Sequence, residues 1–163
     1  QSTISNRKLW TNLAKTIFIW VIAASLPIHF STQDNLIKKG LCIVNRCHLC
    51  KQDLETGSRI FFECPFSTAV WAQVKKWIEV PYLGNKLKTL MHWGALRKIK
   101  KHWKSKLIKC SITATVYYIW WERNKRVFQE QEQNAESLFK QIKAVVQIWF
   151  DRLVPIQFRH FLV

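Results

Sequence analysis

The 163-residue chain carries 26 Lys and Arg against 10 Asp and Glu, a formal net charge of +16, with 48% hydrophobic and 13% aromatic residues. That length predicts a single domain over 1–163 with a real core, and the apolar content excludes a disordered basic tail. Only four Gly and four Pro exclude collagen-like, linker-like and many-turned all-β chains.

In chain order, Leu9, Leu13, Ile17, Trp20 and Val21 recur at helical intervals. They predict a first helix that ends by Pro27, because proline cannot continue the hydrogen-bond ladder. Its apolar run, Ile17 to Leu26, falls short of the roughly 18 residues a membrane span needs. Ser31 or Thr32 then opens a short helix that finishes at Lys38, Lys39 and Gly40. A Cys-rich insert follows over about 41–66, where Ile60-Phe61-Phe62 fits either a strand or the first turn of a helix. After Pro65, Val70, Val74, Trp77 and Ile78 share a helix face, and Ser67 suits the cap. Pro81 to Asn85 reads as a loop.

Long helices are expected over about 95–154. Leu96, Ile99, Trp103, Leu107 and Cys110 recur at three- or four-residue spacing, and apolar character runs on through Ile112, Val116, Ile119 and Trp120 to a charged WERNKR. Glu122 in that run reads as a partner for Arg123 or Arg126. Asn134 suits the cap of a last helix striped by Leu138, Ile142, Val145, Trp149 and Leu153. Tyr117, Tyr118, Trp120, Trp121, Phe128 and Trp149 read as core aromatics. The expected fold class is mainly α: a helical domain with a small Cys-rich, zinc-knuckle-like insert.

The five Cys leave an odd thiol under any pairing, and no signal-peptide form accompanies them. A reducing setting is therefore expected, nuclear or cytoplasmic rather than secreted. The chain opens at Gln1, not Met, which suggests a piece of something longer. Cys47 and Cys50 form a C-x2-C pair, and thirteen residues separate Cys50 from Cys64. Such a pair brings two thiolates to one side of a tight turn, as tetrahedral zinc requires. By spacing alone, a fourth ligand falls to Cys42, His48 or an outside group. A redox pair and three inert buried thiols are the competing readings.

The run CHLCKQDLETGSRIFFECPFSTAVWAQV resembles the zinc-binding domain at the C-terminal end of plant LINE-type (non-LTR) reverse transcriptases. STQDNLIKKG is similar to the segment that family places before its first cysteines, and IWWERNKRVFQ to its aromatic-rich helix end. The resemblance covers nearly the whole chain. It implies a retroelement-derived fragment of a longer polyprotein, downstream of a polymerase domain, with Zn2+ as cofactor. Cys47, Cys50 and Cys64 match the family's ligand positions, but Arg59 occupies the position of its His. Arginine stays protonated and offers no lone pair, so it cannot ligate zinc. The zinc site therefore looks degenerate, left to Cys42, His48 or water for its fourth ligand.

Between Glu79 and Glu122 there is no acidic residue, while nine Lys and Arg fall in that interval. On a helix from Leu96, Arg97, Lys98, Lys100, Lys101 and Lys104 form a cationic ridge, the footprint of a phosphate-backbone binder. Trp103, among those lysines, suits either a core position or stacking on an unpaired base. An anionic membrane or calmodulin would also suit a basic helix, but less well. The acids are scattered, the five His lie far apart, and no G-x-S-x-G, phosphate-loop or H-E-x-x-H pattern occurs. The expected function is a non-catalytic accessory module that contacts RNA or DNA and the parent polymerase domain, with no membrane and no small-molecule substrate. The competing class is a protein-docking scaffold with a metal-free Cys cluster.

Overall fold

The computed structural model describes Thr32 and residues 37–40, 46–57, 59–86, 89–90 and 103–153. Among these the chain is mainly helical, with three long helices and no strand. They are α1 (Pro65–Trp77), α2 (Trp103–Phe128) and α3 (Ala135–Leu153). The expected first helix, most of the short 31–40 helix, and Arg97, Lys98, Lys100 and Lys101 lie outside the described residues. No helix among the described residues is long and apolar enough to cross a membrane.

Helix α1 starts where proline permits it. Pro65 sits at the first helical position, where its missing N–H costs nothing, and Cys64 before it is extended. Ser67 is not the cap: its hydroxyl donates to the Ile60 carbonyl, and that of Thr68 donates to Phe62 at 2.9 Å. Both hydroxyls are thus drawn back onto the preceding turn rather than spent on the helix end. Ile60, Phe61 and Phe62 form that turn, neither strand nor helix, and all three are buried. The helix ends in a Schellman arrangement, with Glu79 N–H donating to Lys76 at 3.3 Å and Val80 N–H to Lys75 at 3.0 Å. Glu79 holds the left-handed φ of 55° that this cap requires. In the loop that follows, Trp71 Nε1 donates to the Gly84 carbonyl at 3.0 Å and Lys75 Nζ to that of Leu83 at 3.0 Å.

Helix α2 is the central element. Every residue from Cys110 to Val116 is buried, so this stretch is enclosed on all sides. Its Ser, Thr and Ala residues are what let neighbours approach all round, and the Thr115 hydroxyl returns to the Ser111 carbonyl at 2.7 Å. A helix enclosed in this way needs no single apolar face, which is why a weakly amphipathic sequence forms it.

Helix α3 is capped by Asn134, whose side-chain oxygen accepts the Ser137 N–H at 2.8 Å. It buries Leu138, Ile142, Val146 and Phe150, while Val145 and Trp149 are only half-buried. The stripe is thus rotated from the one predicted, because α3 contacts both α1 and α2 rather than a single neighbour. Phe150 near its end meets Trp103 at the start of α2 edge-on at 6.1 Å, so α2 and α3 run antiparallel.

The predicted core aromatics divide. Trp120 and Trp149 pack against the core, and Tyr118 is half-buried. Tyr117, Trp121 and Phe128 are instead exposed, because they lie on the face of α2 opposite buried Ile119, Glu122 and Arg123.

Candidate metal centre

The insert folds as a tight turn. Lys51 N–H donates to the Cys47 carbonyl at 2.8 Å, and Cys47 N–H to that of Asp53 at 2.7 Å. Lys51 adopts a left-handed φ of 59°, reversing the chain just after Cys50. Cys64 arrives from the other side, held at the N-terminus of α1 by the buried 60–62 turn and Pro65.

These two pieces bring the Sγ atoms of Cys47, Cys50 and Cys64 within 4.8 Å of one another. Cys47 Sγ lies 3.7 Å from Cys64 Sγ and donates to it. That hydrogen bond, with burial behind it, pushes the Cys47 thiol up. The same bond draws Cys64 down against the opposing effect of burial, aided by the Ser67 and Phe66 N–H groups of α1's first turn. Cys64 is thus the thiol of the pair whose deprotonation is eased.

The three sulfurs suit a tetrahedral thiophilic ion. With Zn–S near 2.3 Å, two vertices of a tetrahedron lie about 3.8 Å apart, close to the observed 3.7 Å. Three vertices are supplied by this chain. The fourth is not filled by Arg59, which lines the same cleft as the cysteines. Its guanidinium pairs with Asp53, and that carboxylate holds it further toward the charged form. Nor does His48 join the sulfur cluster; its Nδ1 lies 3.3 Å from Glu55 Oε2. Cys42 falls outside the described residues.

What fastens the insert to the helices is a set of buried ion pairs at the end of α2. Glu55 is wholly buried and accepts from Arg123 Nη2 at 2.7 Å and Nε at 3.3 Å. Arg126 Nε donates to Glu122 at 2.7 Å, its Nη1 to the Leu49 carbonyl at 2.8 Å and its Nη2 to that of Gln133 at 2.8 Å. The expected pairing of Glu122 is thus with Arg126. The roles of Glu55 and Leu49 were not legible in the sequence, because their partners lie 68 and 77 residues away.

The cationic ridge is described only at its end. Lys104 lies 3.6 Å from Glu79 and 5.5 Å from the centroid of the Trp103 ring. Trp103 is half-buried against Phe150.

A family described as zinc-binding in reverse transcriptase matches residues 2–71. That span holds all three clustered cysteines and the first half of α1, whereas α2 and α3 lie beyond it. No curated protein and no solved structure matches the chain.

Proposed function

We propose that this chain is a non-catalytic accessory module of a reverse-transcriptase protein of the plant LINE (non-LTR) type. In this reading Cys47, Cys50 and Cys64 hold Zn2+, and the basic surface holds RNA or DNA near a polymerase domain. The observation that carries it is the convergence of three sulfurs within a span similar to a zinc-binding family. When bound, zinc supplies a structural cross-link rather than a reactive centre.

The chain's own residues do the rest. Cys64 loses its proton more readily than an ordinary thiol, and Arg123 and Arg126 tie the insert to α2 through Glu55 and Leu49. Arg59 leaves the fourth vertex to water or Cys42, which weakens the site without emptying it. The net charge of +16 supports backbone contact with nucleic acid, which binds without sequence preference and weakens steeply with salt.

The test is zinc per chain by elemental analysis, on protein purified without added metal, beside Arg59→His. About one zinc per chain, removed by chelation with a drop in melting temperature, is expected, together with tighter retention in Arg59→His. No zinc in either protein overturns the metal reading.

A further inference from the structure

Tyr117, Trp121 and Phe128 succeed one another at intervals of four and seven along α2, so they share one face of the helix. They are 53%, 39% and 77% exposed. Their spacing along the axis is about 6 Å and about 10 Å. The rings are braced: Tyr117 meets Tyr118 edge-on at 5.3 Å, and Tyr118 meets Trp121 edge-on at 6.2 Å. Lys125 Nζ lies 3.8 Å from the centroid of the Trp121 ring.

The charge that α2 itself offers to solvent has one sign. Glu122 is the sole acid in the sequence of α2, and it is buried and bound to Arg126. Of the lysines of α2, Lys104 pairs with Glu79, while Lys106, Lys109 and Lys125 are half-buried with no exposed carboxylate on the helix itself; exposed Glu130 follows two residues beyond Phe128. Protein-docking faces are depleted in Lys. Exposed rings on a helix whose own solvent-facing charges are all positive are instead the composition of a surface that stacks bases and holds phosphates.

We propose that the Tyr117–Trp121–Phe128 face of α2 is a stacking platform for single-stranded RNA or DNA, with Lys125 beside it as a phosphate contact. This rests on the nucleic-acid reading above and gives it a location distinct from the 97–104 stretch. Stacking needs only the π face of a base, so the platform accepts any sequence but requires unpaired strands.

The test is fluorescence anisotropy of labelled oligo-U, oligo-dT and a hairpin duplex with the full chain, at low and high salt. The expected result is binding of both single strands in preference to the duplex. Trp121→Ala and Phe128→Ala should each weaken it about ten-fold, within the range of a lost base–aromatic stack. Trp121→Phe should retain most of the affinity. Ile148→Ala, at a residue exposed on α3, should change nothing. Should Trp121→Ala not fold, the more exposed Phe128→Ala and the Trp121→Phe variant still decide the question.

Several results would overturn the platform. If the wild-type chain binds oligonucleotide but Trp121→Ala and Phe128→Ala bind equally well, the contact lies elsewhere and only the platform fails. If the wild-type chain binds none at low salt, the nucleic-acid reading fails with it. A self-association abolished by the same variants, with oligonucleotide binding intact, would make this face a protein contact instead.

Discussion

Arg126 Nη1 donates to the carbonyl of Leu49 at 2.8 Å, across 77 residues of sequence. Leu49 stands between the paired cysteines, so the guanidinium at the end of α2 grips the thiol-bearing turn by its backbone. The same side chain reaches Glu122 and the Gln133 carbonyl and lies 4.5 Å from the Phe66 ring centroid in α1. One planar cation thus joins the insert, α1, α2 and the approach to α3.

Removing it should be costly. Arg126→Ala leaves Glu122 buried without an opposite charge and with the Gln133 N–H still donating to it, and loss of one member of a buried pair costs about 3–5 kcal/mol. Arg126→Lys should recover little, because a single ammonium cannot reproduce a planar fork that serves three acceptors. Urea unfolding of the two variants measures both effects.

Glu55 and Arg123 form a second buried pair, their side chains 0% and 4% exposed. Glu55→Gln should destabilise, since it removes the carboxylate charge facing the buried Arg123 guanidinium, by up to about 3–5 kcal/mol for a broken buried pair. Replacing both with apolar residues, as in Glu55→Leu with Arg123→Met, should recover much of that loss. A double-mutant cycle in urea reads the coupling. If the double variant is as unstable as the sum of the singles, the pair is not the coupling device assigned here.

The metal assignment separates the four described cysteines by role. Cys64→Ser should abolish zinc retention and remove the stabilisation that added zinc provides, whereas Cys110→Ala should leave retention unchanged. Elemental analysis and melting temperature with and without chelator distinguish them. Equal retention in Cys64→Ser would rule out the three-sulfur site.

Cys110 also gives a dependence on pH. Burial pushes its thiol from 9.0 up to about 12. The folded chain therefore keeps a proton that the unfolded chain releases near pH 9, so stability falls as pH rises from about 9 toward 12. Denaturant midpoints should drop more steeply over that interval in the native sequence than in Cys110→Ala. Alkylation of Cys110 should be slow until the chain is unfolded.

At the start of α3, Asn134→Ala should cost about 1 kcal/mol by stripping the cap from the Ser137 N–H. Asn134→Asp should cost little, since its carboxylate still accepts that bond. Thermal melts of the two variants suffice.

Much of the local structure was legible because its causes are local. Pro65 opens α1, Asn134 caps α3, and Glu122 pairs with Arg126 one turn away. The failures all involve more than one element. Ser67 is not the cap because Pro65 starts the helix two residues before it, and from inside the first turn its hydroxyl donates back to the Ile60 carbonyl. The α3 stripe rotated toward Val146 and Phe150 because two helices bury it. Trp121 and Phe128 look like core residues in composition, yet beyond Val116 the neighbours of α2 cover only the face that carries Ile119, Glu122 and Arg123.

Sequence by itself determined that the segments of α1, α2 and α3 become helices and which residues can ligate a metal, because propensity, capping and donor chemistry act within a few residues. It also determined the excess of positive charge and excluded Arg59 as a ligand, since a guanidinium has no lone pair whatever surrounds it. Only the tertiary structure decided that Cys47 and Cys64 meet at 3.7 Å, that Glu55 is neutralised by Arg123, and that three aromatic rings face solvent. Those outcomes depend on which surfaces of distant segments come together, and spacing along one chain carries no record of that.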